Sequence, residues 1–158
     1  MTREYMLDTI IFNLLAKDGT ISVDVFKQIT LFATHIQIDE LNKTSNHHLK
    51  SLLVQMFDKV NPENIPTSAA VWGVSKWGGA RWGDADGLYE RLKERVQKLD
   101  KANGKKPRNP TNQTNDALIA VTAIKNNLTL ITTDLGLKQS TIECGGKAIH
   151  FDEFLKLE

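Results

Sequence analysis

Residues 114–137 read "TNDALIAVTAIKNNLTLITTDLGL", and the two halves of this stretch have different characters. From Ala117 to Ile124 nearly every residue is apolar, which suits a helix buried on most sides, because no polar stripe is left for solvent. Asn126 and Asn127 interrupt the run as turn residues. "LTLIT" (128–132) then supplies the branched side chains of a strand. A buried helix feeding directly into a strand is half of a crossover between parallel strands. The same kind of unit appears upstream. "EYMLDTIIFNLLAKDG" (4–19) gives a short apolar run ending at Asp8, followed by Ile11, Leu14 and Leu15 at helical spacing. "SVDVFKQITLFATH" (22–35) reads as a helix leading into the alternating "HIQIDEL" (35–41), where Ile36, Ile38 and then Glu40 close a strand. Downstream, "KAIHF" (147–151) predicts a further short strand, and Phe151, Phe154 and Leu155 a terminal amphipathic turn. The alternation predicts an α/β fold: a three-layer α/β/α sandwich with a central, mostly parallel sheet of four to five strands.

Composition narrows the class further. At 158 residues and 41% hydrophobic, the chain buries one sizeable core, so residues 1–158 are expected to form a single domain. Twenty Lys and Arg against 19 Asp and Glu leave a net charge of +1, and no global field draws the protein to nucleic acid or an anionic membrane. Cys144 is the only cysteine, which excludes an internal disulfide and thiolate-rich zinc sites. No apolar run approaches the length of a bilayer span, and no charged leader precedes one at the N-terminus. The expectation is a soluble cytoplasmic protein.

Between the ordered ends lies a different kind of sequence. Leu49, Leu52, Leu53, Met56, Phe57 and Val60 trace the apolar stripe of a surface helix that stops before Pro62. From 62 to 110 the chain turns to Gly, Trp and charge, with no apolar strand. "WGVSKWGGARWG" (72–83) holds all three tryptophans at five-residue spacing, with Lys76 and Arg81 before two of them. Five residues advance a helix by about 500°, so no regular element puts the three indoles on one face. Trp77 and Trp82, with Lys76 and Arg81, could stack bases and meet phosphates of a single strand, or could simply pack. Trp72, behind "SAAV", suits burial. Asp84 is expected to cap a helix whose Leu88, Leu92, Val96 and Leu99 face inward, while Arg91, Lys93, Arg95 and Lys98 face out. From Arg91 to Arg108 the chain carries eight Lys and Arg against two acids, a local excess of +6. His47 and His48 are adjacent, so a helix would splay them by about 100°, and they read as a solvated pair.

Four acids fall where such a sheet places its chemistry, outside the carboxyl ends of the strands. Asp8, Glu40 and Asp134 each stand at or just beyond the end of an expected strand, and Asp116 opens the buried helix. Any one of them alone is explained as a helix cap. Together they would repel and shift one another's pKa unless cations neutralise them. Oxygen donors without His or Cys select a hard ion, Mg²⁺ or Mn²⁺, and the chemistry that follows is phosphodiester hydrolysis.

The runs "MLDTIIF" (6–12), "IQIDEL" (36–41), "NDALIAVTAI" (115–124) and "LTLITTDLGL" (128–137), in this order, resemble the PIN-domain family of metal-dependent ribonucleases. The resemblance implies that Asp8, Glu40, Asp116 and Asp134 are both catalytic and metal-holding. It also implies that the hydroxyls of Thr9 and Thr132 support them, Thr132 matching the family's Thr-x-Asp. RNA is the implied substrate. Many small single-domain members are toxins of type II toxin-antitoxin pairs, so an antitoxin is an expected partner, and a homo-oligomer stays open. Two other readings stay open too: an RNA-processing PIN nuclease without antitoxin, and a PIN-like module that binds RNA or protein without cutting. A haloacid-dehalogenase-type phosphatase would need a second Asp two residues after Asp8, where Ile10 stands. A receiver domain would need an acidic pair and a late Lys that are not evident.

Overall fold

The computed structural model describes residues 3–69, 86–106 and 109–157. Its elements run β1 (Glu4–Leu7), α1 (Thr9–Lys17), a 3₁₀ turn (Val23–Phe26), β2 (Thr30–Ala33), α2 (His35–Asn42), α3 (His47–Val60), β3 (Glu63–Asn64), α4 (Leu88–Ala102), α5 (Pro110–Lys125), β4 (Thr129–Thr132), α6 (Leu135–Glu143), β5 (Lys147–His150) and α7 (Phe151–Leu155). The five strands form one sheet in the order β3-β2-β1-β4-β5, and every described pairing is parallel. β1 lies at the centre, with Tyr5 between Leu31 and Thr129 and Met6 between Phe32 and Leu130. The α/β architecture expected from the sequence, a parallel central sheet of four to five strands between helices, is the one observed.

Successive strand residues point to opposite faces of a sheet, and here each face has its own core. Met6 and Leu130 pack with Leu92, Val96, Leu118, Val121 and Leu137 of α4, α5 and α6. Tyr5, Leu7 and Ile131 pack with Ile11, Phe12, Leu53 and Phe154 of α1, α3 and α7. α5 packs against strand β4 and against the helices α4 and α6, and its residues Ala117 to Ala123 are fully buried. That position accounts for an apolar surface on every side of one helix. α3 ends on Asn61 in the left-handed conformation (φ 49°), a C-terminal stop that Asn tolerates, with Pro62 behind it.

Three local expectations are corrected. The helix expected over 22–35 is a 3₁₀ turn capped by Ser22 and then strand β2, because the branched and aromatic run from Ile29 to Phe32 suits a pleated, half-buried surface. The strand expected over 35–41 is helix α2. Thr34 caps it in a reciprocal box, with its hydroxyl accepting from the Ile36 amide (3.2 Å) and Gln37 Oε1 accepting from the Thr34 amide (2.9 Å). Glu40 therefore stands in the second turn of a helix and not at a strand's exit. Asp116 does not open α5: the helix starts at Pro110, capped by Asn109, so Asp116 lies in its second turn. The stretch 62–110 contributes the short strand β3, whose two residues are polar and exposed, in keeping with the expectation of no apolar strand there.

α4 carries Leu88, Leu92 and Val96 inward and exposes Arg91 and Lys98, as its periodicity implies. It begins on Gly87 (φ 66°), with Asp86 Oδ1 accepting from the Leu88 amide at 3.3 Å. The expected cap Asp84 lies outside the described residues, as do Trp72, Lys76, Trp77, Arg81 and Trp82.

Candidate active site

The strand order turns back at β1: the chain first moves outward through β2 and β3, and later returns on the other side of β1 with β4 and β5. Where crossovers depart to opposite sides, a crevice opens at the carboxyl ends of the two adjacent strands. Asp8 follows β1 immediately, and Asp134 follows β4 by two residues. The crevice is an open cleft of about 300 Å³ bordered by Asp8, Thr9, Asn13, Glu40, Asp116 and Asp134. The four acids singled out from the sequence thus share one cleft.

Asp8 occupies the N-cap position of α1, yet its side chain makes no capping hydrogen bond. Its backbone amide still belongs to the sheet edge, donating to Ile131 O at 3.0 Å, and the residue is only 5% exposed. The carboxylate turns to β4 instead, where Oδ2 accepts from the Thr132 hydroxyl at 2.7 Å. Burial pushes its pKa up to about 6, and the charges of Glu40 and Asp134 push in the same direction. The Thr132 hydroxyl and the Thr9 amide offset part of that rise.

Thr132 serves two acids at once. Its oxygen also accepts from the Asp134 amide at 3.0 Å, which fixes the backbone turn after β4. Asp134 does cap a helix: its Oδ1 accepts from the Leu137 amide (3.0 Å) at the start of α6. Its Oδ2 receives the ammonium of Lys105 at 2.8 Å. Glu40 is held from two sides, by the Thr9 hydroxyl on one oxygen and by Asn115 Nδ2 on the other, the latter at 2.8 Å. Asp116 lines the cleft from α5.

Among the described residues no three acidic, His or Cys side chains stand close enough to encircle one ion, because Glu40 and Asp134 are each turned to protein partners. The donor chemistry nevertheless suits a hard divalent cation. Four carboxylates border one cleft without a His or Cys donor, and the buried one among them is raised by its burial and further by its neighbours' charge. Beside Glu40, the buried Asn115 Oδ1 has no hydrogen-bond partner among the described residues, which adds an unsatisfied oxygen to the set. Asp8, Glu40, Asp116 and Asp134 are the residues that would hold the ion.

Three contributors escape a motif reading. Asn115 and Lys105 each grip an acid of the cleft, and Gln37 donates through Nε2 to the Leu7 carbonyl at 3.0 Å, tying α2 to the end of β1. A polar residue in a fully buried stretch of helix is the signal for Asn115, and the Thr-x-x-Gln capping box is the signal for Gln37. His47 and His48 are exposed in the first turn of α3.

The fold and cleft together define a doubly wound α/β domain with an acidic site at its topological switch. No protein-family model and no curated protein sequence matches the chain. Solved structures with a similar chain path include VapBC-5 of Mycobacterium tuberculosis, a member of the VapBC family of toxin-antitoxin systems, at 16% identity and a TM-score of 0.44 over 93% of this chain and 96% of that one. VapBC2 of Rickettsia felis, bound to a DNA fragment from their promoter, is similar at 17% identity and a TM-score of 0.46, over 93% and 98%. PAE2754 of Pyrobaculum aerophilum is similar at 19% identity and a TM-score of 0.47, over 99% and 98%. The chemistry of the cleft is read from its own side chains.

Proposed function

We propose that the protein is a metal-dependent endoribonuclease of the PIN type, hydrolysing phosphodiester bonds of single-stranded RNA. The observation that carries this reading is Asp8: a carboxylate that neither caps its helix nor pairs with a described cation, and whose pKa is raised by its burial and, to a smaller extent, by two neighbouring acids. Such a group is costly in a purely structural role. Mg²⁺ or Mn²⁺ bound there would activate water and neutralise charge at the scissile phosphate. The chain's own residues supply the frame. Thr132 fixes Asp8 relative to Asp134, while Thr9 and Asn115 fix the two oxygens of Glu40.

The purified protein is expected to cut mixed single-stranded RNAs with Mg²⁺ or Mn²⁺, leaving 5′-phosphate and 3′-hydroxyl ends, and to stop in EDTA. Asp8→Asn should fold and lose at least about a hundredfold in rate, the scale of removing one preorganised charge-stabilising group. Full activity in EDTA, or 2′,3′-cyclic ends, would refute the mechanism.

The resemblance to single-domain PIN toxins extends the proposal to an antitoxin-like partner that covers the cleft. One observation favours a second reading, a module that binds RNA or protein without cutting: Asp134 is already paired with Lys105. RNA binding unaccompanied by cleavage in either metal would favour it.

A further inference from the structure

The ammonium at the edge of the cleft is held there by backbone geometry. α4 ends in "DKANGK" (100–105), where Gly104 takes the left-handed conformation at φ 67°. The Gly104 amide donates to Lys101 O at 3.1 Å, and the Lys105 amide donates to Asp100 O at 3.0 Å. These are the two bonds of a Schellman stop, which brings the residue after the glycine back against the helix's last turn. That contact is commonly apolar. Here it is ionic: Lys105 Nζ lies 3.3 Å from Asp100 Oδ1 and 2.8 Å from Asp134 Oδ2.

Asp100, a residue outside the sequence-derived quartet, is only 4% exposed, and it approaches Asp134 across Gly136. A Cβ at position 136 would come within 3.3 Å of Asp134 Oδ1 and 3.5 Å of Asp100 Oδ1, so glycine leaves the space in which the two carboxylates converge. A positive charge between them lowers their mutual repulsion. Any other cation using Asp134 must share or displace that charge.

We propose that Lys105 is an internal counter-cation of the acidic cleft, competing with a divalent ion for Asp134. The proposal rests on the metal-dependent reading above. It makes Lys105 a positioning residue that sets how readily the cleft loads, through its hold on one carboxylate.

The test is Mn²⁺ titration of the full chain by calorimetry. Lys105→Met keeps the length of the stem and removes the charge; it should bind Mn²⁺ at least about tenfold more tightly than the parent, while Lys105→Arg stays within about twofold. Lys98→Met, on the exposed face of α4, controls for the general field and should change affinity by less than about twofold. In an Asp134→Asn background, where the amide still caps α6, the gain from Lys105→Met should vanish. Parent binding with unchanged or weaker binding by Lys105→Met overturns the proposal, as does a gain that persists in the Asp134→Asn background. Failure of both parent and Lys105→Met to bind any Mn²⁺ would instead remove the metal-dependent reading, and this proposal with it. A poorly folded Lys105→Met is replaced by Lys105→Gln in the same comparison.

Discussion

Thr132 divides one hydroxyl between two carboxyl-bearing residues, donating to Asp8 and accepting from the Asp134 amide, and its side chain is fully buried. What that hydroxyl leaves uncompensated at Asp8 is measurable. In the metal-free folded protein Asp8 titrates near 6, against about 3.9 in an unfolded chain. Below the lower value the group is protonated in both states and costs nothing. As pH rises from about 3.9 to about 6 the unfolded chain releases this proton while the folded state still holds it, so stability falls, and above about 6 it levels off. The difference between Asp8→Asn and the parent isolates this group from other titrations. Urea unfolding from pH 4 to 8 in EDTA should show the variant gaining stability relative to the parent up to about pH 6, reaching on the order of 3 kcal/mol. A pH-independent difference would mean that Asp8 is not raised. Of the residues around the cleft, the acids were legible in the sequence because carboxylates gathered at one edge of a sheet have few structural uses. Lys105 and Asp100 were not, because a lysine after a helix stop and an acid in a helix's last turn acquire meaning only through the elements opposite them, and Asn115 offered only the signal of an amide in a buried helix.

Among the elements, α2 decides where Glu40 points. Its capping box is fully buried at Thr34 and Gln37, and Gln37 Nε2 also closes the last carbonyl of β1, the residue before Asp8. Thr34→Ala should cost about 1–2 kcal/mol of stability, the upper range for a cap because the freed groups are buried. Gln37→Leu should cost about 1–3 kcal/mol by stranding the Leu7 carbonyl, and should lower RNA cleavage more than Thr34→Ala does, since it releases α2 from β1. Equal effects on cleavage would mean that only the helix, and not its tie to the strand, matters. This element was also the one misread. "IQID" alternates over four residues, too few to separate a strand from a helix whose Ile36 and Leu41 face different cores. The Thr-x-x-Gln signature at 34–37 carries the better signal. β1, α1, α3, α5, β4 and β5 were legible because each has either a clean helical stripe, continuous apolar burial or a branched run bounded by turn residues. β3 had none of these: its place follows from pairing with β2, which sequence periodicity does not encode.

At the scale of the molecule, the two cores are stitched together by a central strand that is the first in the chain. Tyr5 pairs with Leu31 on one side and with Thr129 on the other, so half of the sheet's middle closes only across more than a hundred residues. Pairings of that span make folding slow and strongly cooperative, because the loop entropy is lost before the contact forms. A fragment of residues 1–127 lacks β4, β5, α6 and α7. It should show no cooperative unfolding transition by circular dichroism and no RNA cleavage; a folded, active fragment would contradict the topology. The same topology sets a schedule for synthesis. During translation Asp8 is made more than a hundred residues before Thr132 and Asp134. A nascent chain therefore carries the first acids of the cleft without the geometry that unites them, and the cleft comes into being only once α5, β4 and the start of α6 have been made.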